Sequence, residues 1–481
     1  MRLFLGYIFI TLSISGCGGD NADPTPAPVD QDPAPIYVVP THLTSTAINE
    51  AIELVSIAGG GTVFLPAGTY EITESVVLKN NVQLMGDGHG TLLKLVTPVT
   101  ASPLFPIITN AEHTLGNTDM TVRNLSMEGS LTDGSHAIRF ERVKRVVVEN
   151  VRVQYANGDG IHFDNGVNKL TNATPGNGEP LNEDIVIQNN DISDTNSDGI
   201  TGVFKNVRII GNRVTRPSLA SSDGQHGIHL HTSGISEGAV IAGNIINDAQ
   251  TCINVTNANN VVVANNQGTL CKEHGILIDI QDLVPTMGNI AITGNVIRNT
   301  TKDGIRVYTT VMRPARNFSI SGNTFQEIGA SAISISAAEA GVITGNTMSN
   351  INGANAIYIL ASMDIAISGN MIRDTGGTGS GDAGIRFEAC TTSAAAMACE
   401  PPVDTQINSA RISVMGNTVT DTRNPSTLER GFYVGNNQAD AFYVSGNVFS
   451  STYNSAFKGT GSSYCGGIGN PYCVGNQENH P

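Results

Sequence analysis

Six of the ten histidines fall between residues 136 and 274, each at an equivalent position of a short recurring pattern. The densest case is Gln225-His226-Gly227-Ile228-His229-Leu230-His231. Strand side chains point alternately to opposite faces. With Ile228 and Leu230 directed inward, His229 and His231 face out, and His226 faces out or sits at the turn. Imidazoles so placed can take up or deliver protons near neutral pH, or ligate metals.

Aligning every Gly/Ala/Cys-Ile pair stacks the chain into columns. The residue before the pair reads His136, Asp159, Asp198, His226, Thr251, His274, Asp303. The residue after it reads Arg139, His162, Thr201, His229, Asn254, Leu277, Arg306, and two further on stand Glu141, Asp164, Val203, His231, Thr256, Asp279, Tyr308. With coils roughly 4.8 Å apart, Asp159 and Asp198 are stacked neighbours. Two carboxyls that close do not both ionise easily, so one pKa should rise unless a cation or His226 compensates. Acids, bases and an arginine in one groove are what proton transfer needs. The expected working centre is His162, His229, Asp159 and Asp198. Asp164, His226, His231, His274, Tyr308 and the two arginines, Arg139 and Arg306, are expected to bind substrate. Four coils make a patch about 15 Å long, with Arg139 at one end and Arg306 at the other. The competing bland reading is a solvated polar face that favours histidine. Later coils lose this chemistry, as in Ser331/Ser334/Ser336.

The elements carrying these columns are short strands. Charged residues are 14% and Trp is absent, against 53 Gly, a β and turn composition. A second strand pattern ends in Asn at 124, 150, 190, 212, 244, 266, 295, 323, 346, 370, 417 and 447, read as a structural ladder at left-handed turns. The coil repeat is mostly about 23–29 residues, with two insertions near 165–182 and 389–408. The first, containing Thr174-Pro175-Gly176-Asn177-Gly178, is expected to overhang the groove. Before the coils, Ala47, Ile48, Ala51, Ile52 and Val55 share one helical face, capped by Thr44 or Ser45 and stopped by Gly59-Gly60-Gly61. The expected fold is all-β: a single-stranded right-handed parallel β-helix over 41–481, with an N-terminal capping helix.

The first residues read as an export signal (1–16). Ile14-Ser15-Gly16-Cys17 resembles the bacterial lipobox, implying a lipid on Cys17, a membrane partner, and an envelope location at the outer membrane. Residues 17–40 contain a Pro-rich acidic tether. The other cysteines fit an oxidising compartment. Cys390/Cys399 and Cys465/Cys473 are the expected disulfides, the latter in the C-terminal cap, while Cys252 and Cys271 are left open between a bridge and buried thiols. A net charge of −16 argues against nucleic acid and requires a basic patch or bound cations for any anionic polymer. A monomer is expected.

Gly59-Gly60-Gly61-Thr62-Val63-Phe64-Leu65-Pro66-Ala67-Gly68-Thr69-Tyr70 resembles the first coils of the pectate-lyase-like right-handed parallel β-helix superfamily. Together with His226-Gly227 and Asp303-Gly304-Ile305-Arg306-Val307-Tyr308, it resembles the catalytic module of bacterial mannuronan C5-epimerases over about 45–330. The family's signature coil, Tyr-Gly-Phe-Asp-Pro-His-Glu, is replaced here by Asp159-Gly160-Ile161-His162-Phe163-Asp164-Asn165. A further family Asp falls on Val203, and His226 alone matches a family active-site histidine. The resemblance implies a uronate-containing glycan and a first step of carboxylate neutralisation, by Arg139, Arg306 or Ca2+, then removal of the C5 proton by His162 or His229. Tyr155 or Tyr308 would supply the acid. A second reading is a hydrolase, since Asn196-Ser197-Asp198-Gly199 resembles the Asn-Thr-Asp-Gly of polygalacturonases. A third is a non-catalytic β-helix lipoprotein that binds glycan or metal.

Overall fold

The computed structural model describes residues 36–96, 105–132, 135–164, 182–217, 225–231, 233–280, 287–376, 382–390, 407, 409–423, 428–435, 440–450, 457–459, 473–474 and 477–479. Cys17, Cys399, Cys465, the side chain of Cys473 and the 165–181 insertion lie outside the described residues.

The helix Ser45–Ile57 forms where its apolar spacing placed it. Thr44 Oγ1 accepts the backbone N–H of Ala47 at 3.3 Å, satisfying one of the free donors of the first turn. Gly59 and Gly60, at φ of +92° and +134°, turn the chain out of the helix. Ile48, Ile52 and Val55 are fully or almost fully buried in the same core as Val63, Leu65 and Val76, so the helix closes one end of that core. Asn49 also pairs with the neighbouring strand, donating to Ser75 O and accepting from Val77 N, both at 2.9 Å. Residues 36–38, assigned to the tether by sequence, instead form a strand paired with Gly61–Val63.

The remaining described chain winds into a right-handed parallel β-helix. Each full coil adds one strand to each of three parallel sheets. Two of these are joined by the long strands Thr118–Glu128 and Lys144–Gln154, which run through both. The third, here the site sheet, stacks fourteen described strands from Val76–Leu78 to Phe457–Gly459. Its register matches the columns: Arg139 pairs with His162, His162 with Thr201, Thr201 with His229, and His229 with Asn254. The Gly/Ala in each pair is set by space. A Cβ on Gly227 would lie 2.4 Å from Ile246 Cγ2 and 2.6 Å from the Cys252 carbonyl oxygen.

The asparagines do form a ladder. Asn212 Oδ1 accepts from both Asn190 N and Asn190 Nδ2, at 3.0 and 2.9 Å. The pattern repeats through Asn244, Asn266, Asn295, Asn323, Asn346, Asn370 and Asn417 to Asn447. Two details differ from expectation. Asn124 and Asn150 form a separate pair at the surface. In the buried ladder the left-handed φ belongs to the residue before the Asn, such as Gly211 (+67°) or Asn265 (+55°). The division is physical: the preceding residue makes the bend, and the buried amide then uses its donors and acceptor across coils. Cys252 and Cys271 are disulfide-bonded. Cys390 is fully buried and disulfide-bonded.

Candidate functional site

A cleft of about 760 Å³ opens on the site sheet. Its lining includes six of the expected residues, Arg139, Asp159, His162, Asp164, Asp198 and His231, together with His113, His136, Glu141 and Thr201.

Asp159 is the hub of one end. It is 4% exposed, and both its oxygens are engaged. Oδ2 lies 2.6 Å from His162 Nδ1 and 3.0 Å from His136 Nδ1, and Oδ1 accepts Asp198 N at 2.8 Å. His136 Nδ1 serves either the backbone N–H of Asp159, at 3.0 Å, or, when protonated, the carboxylate. Burial works to raise the Asp159 pKa, but the hydrogen bonds and charges of His136 and His162 prevail and hold it well below the ordinary value. With Nδ1 of His162 tied to Asp159, its Nε2, 3.9 Å from Asp164 Oδ2, is the nitrogen left for a ligand. On the neighbouring rung Arg139 Nη2 reaches Asp164 Oδ2 at 2.7 Å and Glu141 Oε2 at 3.4 Å.

Asp198 is the hub of the other end. Its Oδ1 accepts His226 N at 2.6 Å and its Oδ2 lies 2.9 Å from His229 Nδ1. Burial and the charge of Asp159 raise its pKa to about 6, so the adjacent carboxyls divide as expected, one kept ionised and one brought into the range of an acid near neutral pH. His226 is lowered to about 4 by burial and by His229, His229 to about 4 by burial, and His231 to about 4 by burial and by His229. His231 Nδ1 accepts Ser233 N at 3.1 Å, which leaves Nε2–H as its donor edge.

Four of the column residues do not face open solvent, contrary to the sequence reading, while Arg139, His162, Asp164 and His231 are half-buried at the cleft. Asp159, Asp198, His226 and His229 are 4, 6, 8 and 7% exposed, because neighbouring rungs pack side chain against side chain. His226 and His229 lie behind the cleft wall, in contact with Asp198. The expected single patch is also two groups. Arg139 and Arg306 stand six rungs apart in the register, about 29 Å at 4.8 Å per rung. His274, Asp303, Arg306 and Tyr308 form their own cluster: Asp303 Oδ2 is 3.5 Å from His274 Nδ1 and 3.6 Å from Arg306 Nη1, and Arg306 lies over the Tyr308 ring at 4.5 Å. No tyrosine lines the cleft among the described residues, so the expected acids Tyr155 and Tyr308 are not in it. His113, which the sequence reading passed over, sits outside the repeat, yet contacts Thr109 Oγ1 at 3.1 Å and Glu141 Oε2 at 3.7 Å. No periodicity could have flagged it.

The architecture and cleft define a long parallel β-helix with one acid- and imidazole-lined face. A family model described as rhamnogalacturonase A/epimerase, pectate lyase-like, matches residues 43–277, and one for the right-handed β-helix region matches 309–477. The chain belongs to the pectate-lyase-like right-handed parallel β-helix superfamily. It is 45% identical over 58 residues to mannuronan C5-epimerase AlgE1 of Azotobacter vinelandii, a match spanning 10% of this chain and only 4% of that protein. The A-module of A. vinelandii mannuronan C5-epimerase AlgE6 superposes with a TM-score of 0.50 at 16% identity, covering 91% of this chain and 95% of that one. The tailspike protein of E. coli bacteriophage HK620, solved with a pentasaccharide, gives 0.60 at 13%, covering 86% and 74%. At such identities the two structures share the fold with this chain.

Proposed function

We propose that this protein acts on a uronate-containing polysaccharide by removing the C5 proton, as a lyase or an epimerase. The observation that carries the reading is the Asp159–His162 dyad at the cleft. A buried, ionised carboxylate fixes Nδ1 of His162 and leaves Nε2 as base, the arrangement that orients an imidazole for proton transfer. Arg139 is the cation for the uronate carboxylate and spreads the charge that develops when H5 leaves. His231 Nε2–H is a donor for the same developing charge. A proton delivered to C5 from the opposite face by water gives the epimer; departure of the 4-linked oxygen as a hydroxyl, with the proton returned by His162, gives an unsaturated end. Asp159 is a poor candidate for a free hydrolytic carboxylate, since His162, His136 and Asp198 N occupy it. The pentasaccharide in the tailspike complex and the mannuronan of the epimerases support a glycan partner by analogy of fold.

Incubation with a panel of polyuronates in D2O tests this. Either of two results is expected: deuterium at C5 of the recovered polymer, from an epimerase, or unsaturated ends that carry no C5 hydrogen, from a lyase. Reducing ends with neither deuterium at C5 nor unsaturation would favour the second reading, a hydrolase with Asp198 as acid, which its pKa of about 6 supports. Attachment through a lipid on Cys17 belongs to the same proposal; lipid label that persists in Cys17→Ser would refute it.

A further inference from the structure

Beside the cleft, Asp198, His226 and His229 form a cluster that the proposed reaction leaves without a task for either imidazole. One carboxylate oxygen and one nitrogen from each ring lie within 4.8 Å of one another. The two rings meet edge to face at 4.5 Å between centroids. Each leaves a nitrogen buried and without a hydrogen-bond partner: Nδ1 of His226 and Nε2 of His229. A buried polar atom in that condition destabilises the fold unless something pairs with it, and here two occur in adjacent side chains.

We propose that Asp198, His226 and His229 are the ligands of one divalent transition-metal ion of the zinc class. Two imidazoles and a carboxylate match the donors preferred by Zn2+ and its neighbours, whereas Ca2+ takes six to eight oxygens. Zinc–nitrogen and zinc–oxygen bonds of about 2.0–2.1 Å place ligand atoms about 3.3 Å apart, a separation inside the 4.8 Å span of the three donors. The supports around them are built. His226 Nε2 faces Asn254 Nδ2 at 3.1 Å, and Asp198 Oδ1 is held by His226 N at 2.6 Å. Such contacts fix ligand orientation. All three ligands stand on adjacent rungs of one sheet, so the backbone sets their spacing before any ion arrives. Because Asp198 also lines the cleft, the remaining coordination position can be filled from that side by water or a substrate oxygen. The other cluster, His136, Asp159 and His162, has the same residue types, but neither of its imidazoles carries a buried nitrogen without a partner; in the proposed site an ion would take Asp198 Oδ2 over from its 2.9 Å contact with His229 Nδ1. The proposal does not depend on the reaction assigned to the cleft.

The test uses the full chain, stripped with a chelator and titrated with Co2+. One equivalent should produce visible absorption bands that Zn2+ abolishes. His226→Gln and His229→Gln should each weaken binding by about 100-fold or more, beyond the 10–100-fold typical of outer-shell changes. His162→Gln should leave it within about twofold. No saturable spectrum with the unaltered protein overturns the proposal, as does loss of binding in His162→Gln with retention in His229→Gln. Anomalous scattering from crystals of the zinc-loaded, unaltered chain locates the ion even if the variants fail to fold. Density anywhere but between these three residues refutes the assignment.

Discussion

Two stretches of the site sheet use the same backbone for different ends. In the rungs from Arg139 to His231 the outward columns carry acids and imidazoles. In the rung Ile333–Ser336 and the turn before it the same columns carry Ser331, Ser334 and Ser336, which are as buried as Asp159, Asp198 and His229. Asp303, one rung before the serines, shows what is common. Its Oδ1 accepts Ser331 N at 3.0 Å, as Asp159 Oδ1 accepts Asp198 N and Asp198 Oδ1 accepts His226 N. One oxygen of each column acid is therefore architecture. The regions part at the other oxygen: Asp159 Oδ2 holds His162 at 2.6 Å, whereas Asp303 Oδ2 stands 3.5 and 3.6 Å from His274 and Arg306. An acid in this column is thus no sign of chemistry until its second partner is known.

The largest effect that would separate the regions is His162→Gln. Turnover should fall by about 10²–10⁴-fold, the usual range for loss of a general base, with a melting temperature near that of the unaltered protein. Equal activity would remove the distinction between the two stretches. Next is the contrast of Asp159→Asn with Asp303→Asn. The amide keeps an oxygen for the next rung's N–H but loses the charge that orients the imidazole. Turnover should drop about 10–100-fold in the first and stay within about twofold in the second. A similar loss in both would mean that the acid column acts only through the fold.

Acid should also divide the stretches. His226, His229, His231 and His274 are each lowered from 6.5 to about 4, chiefly by burial. Depressed histidine pKa values contribute stability that is fully present above pH 6.5 and is lost as pH falls toward 4, because the unfolded chain takes up protons that the folded one refuses. Asp198, raised from 3.8 to about 6, and Asp303, also raised by burial, act the other way over that interval, but they are two groups against four. The expected result is a melting temperature that falls on acidification from pH 6.5 to 4. Amide exchange should rise first in His226–Leu230 and later in Ile333–Ser336. Uniform exchange across both strands would refute the local origin.

The repeat was legible in the sequence because each coil must bury the same inward positions, so Gly227-Ile228 or Ala332-Ile333 recurs with little freedom. The adjacency of Asp159 and Asp198 followed from that register alone. Burial of the columns was not legible. Period-two alternation separates inward from outward, but it does not show that stacked side chains one rung away exclude water. The extent of the cleft was hidden for a related reason: its walls include His113 and Ser233, which lie outside the aligned strand, while Arg306 shares the column yet stands rungs away. Ladder asparagines were readable as a set, but the assignment of the left-handed bend to Gly211 or Asn265 required backbone angles.

The smallest expected effect is also the strictest control. Ser334→Ala and Ser336→Ala remove hydroxyls at the positions equivalent to His162 and Asp164, in rungs of the same sheet. Removing a neutral hydroxyl changes no charge. Turnover should therefore stay within about twofold of the unaltered protein, and the pH dependence of unfolding should not move. A turnover loss comparable to that of His162→Gln would show that distant rungs transmit their packing to the cleft. The imidazoles would then owe their apparent importance to the solenoid rather than to proton transfer.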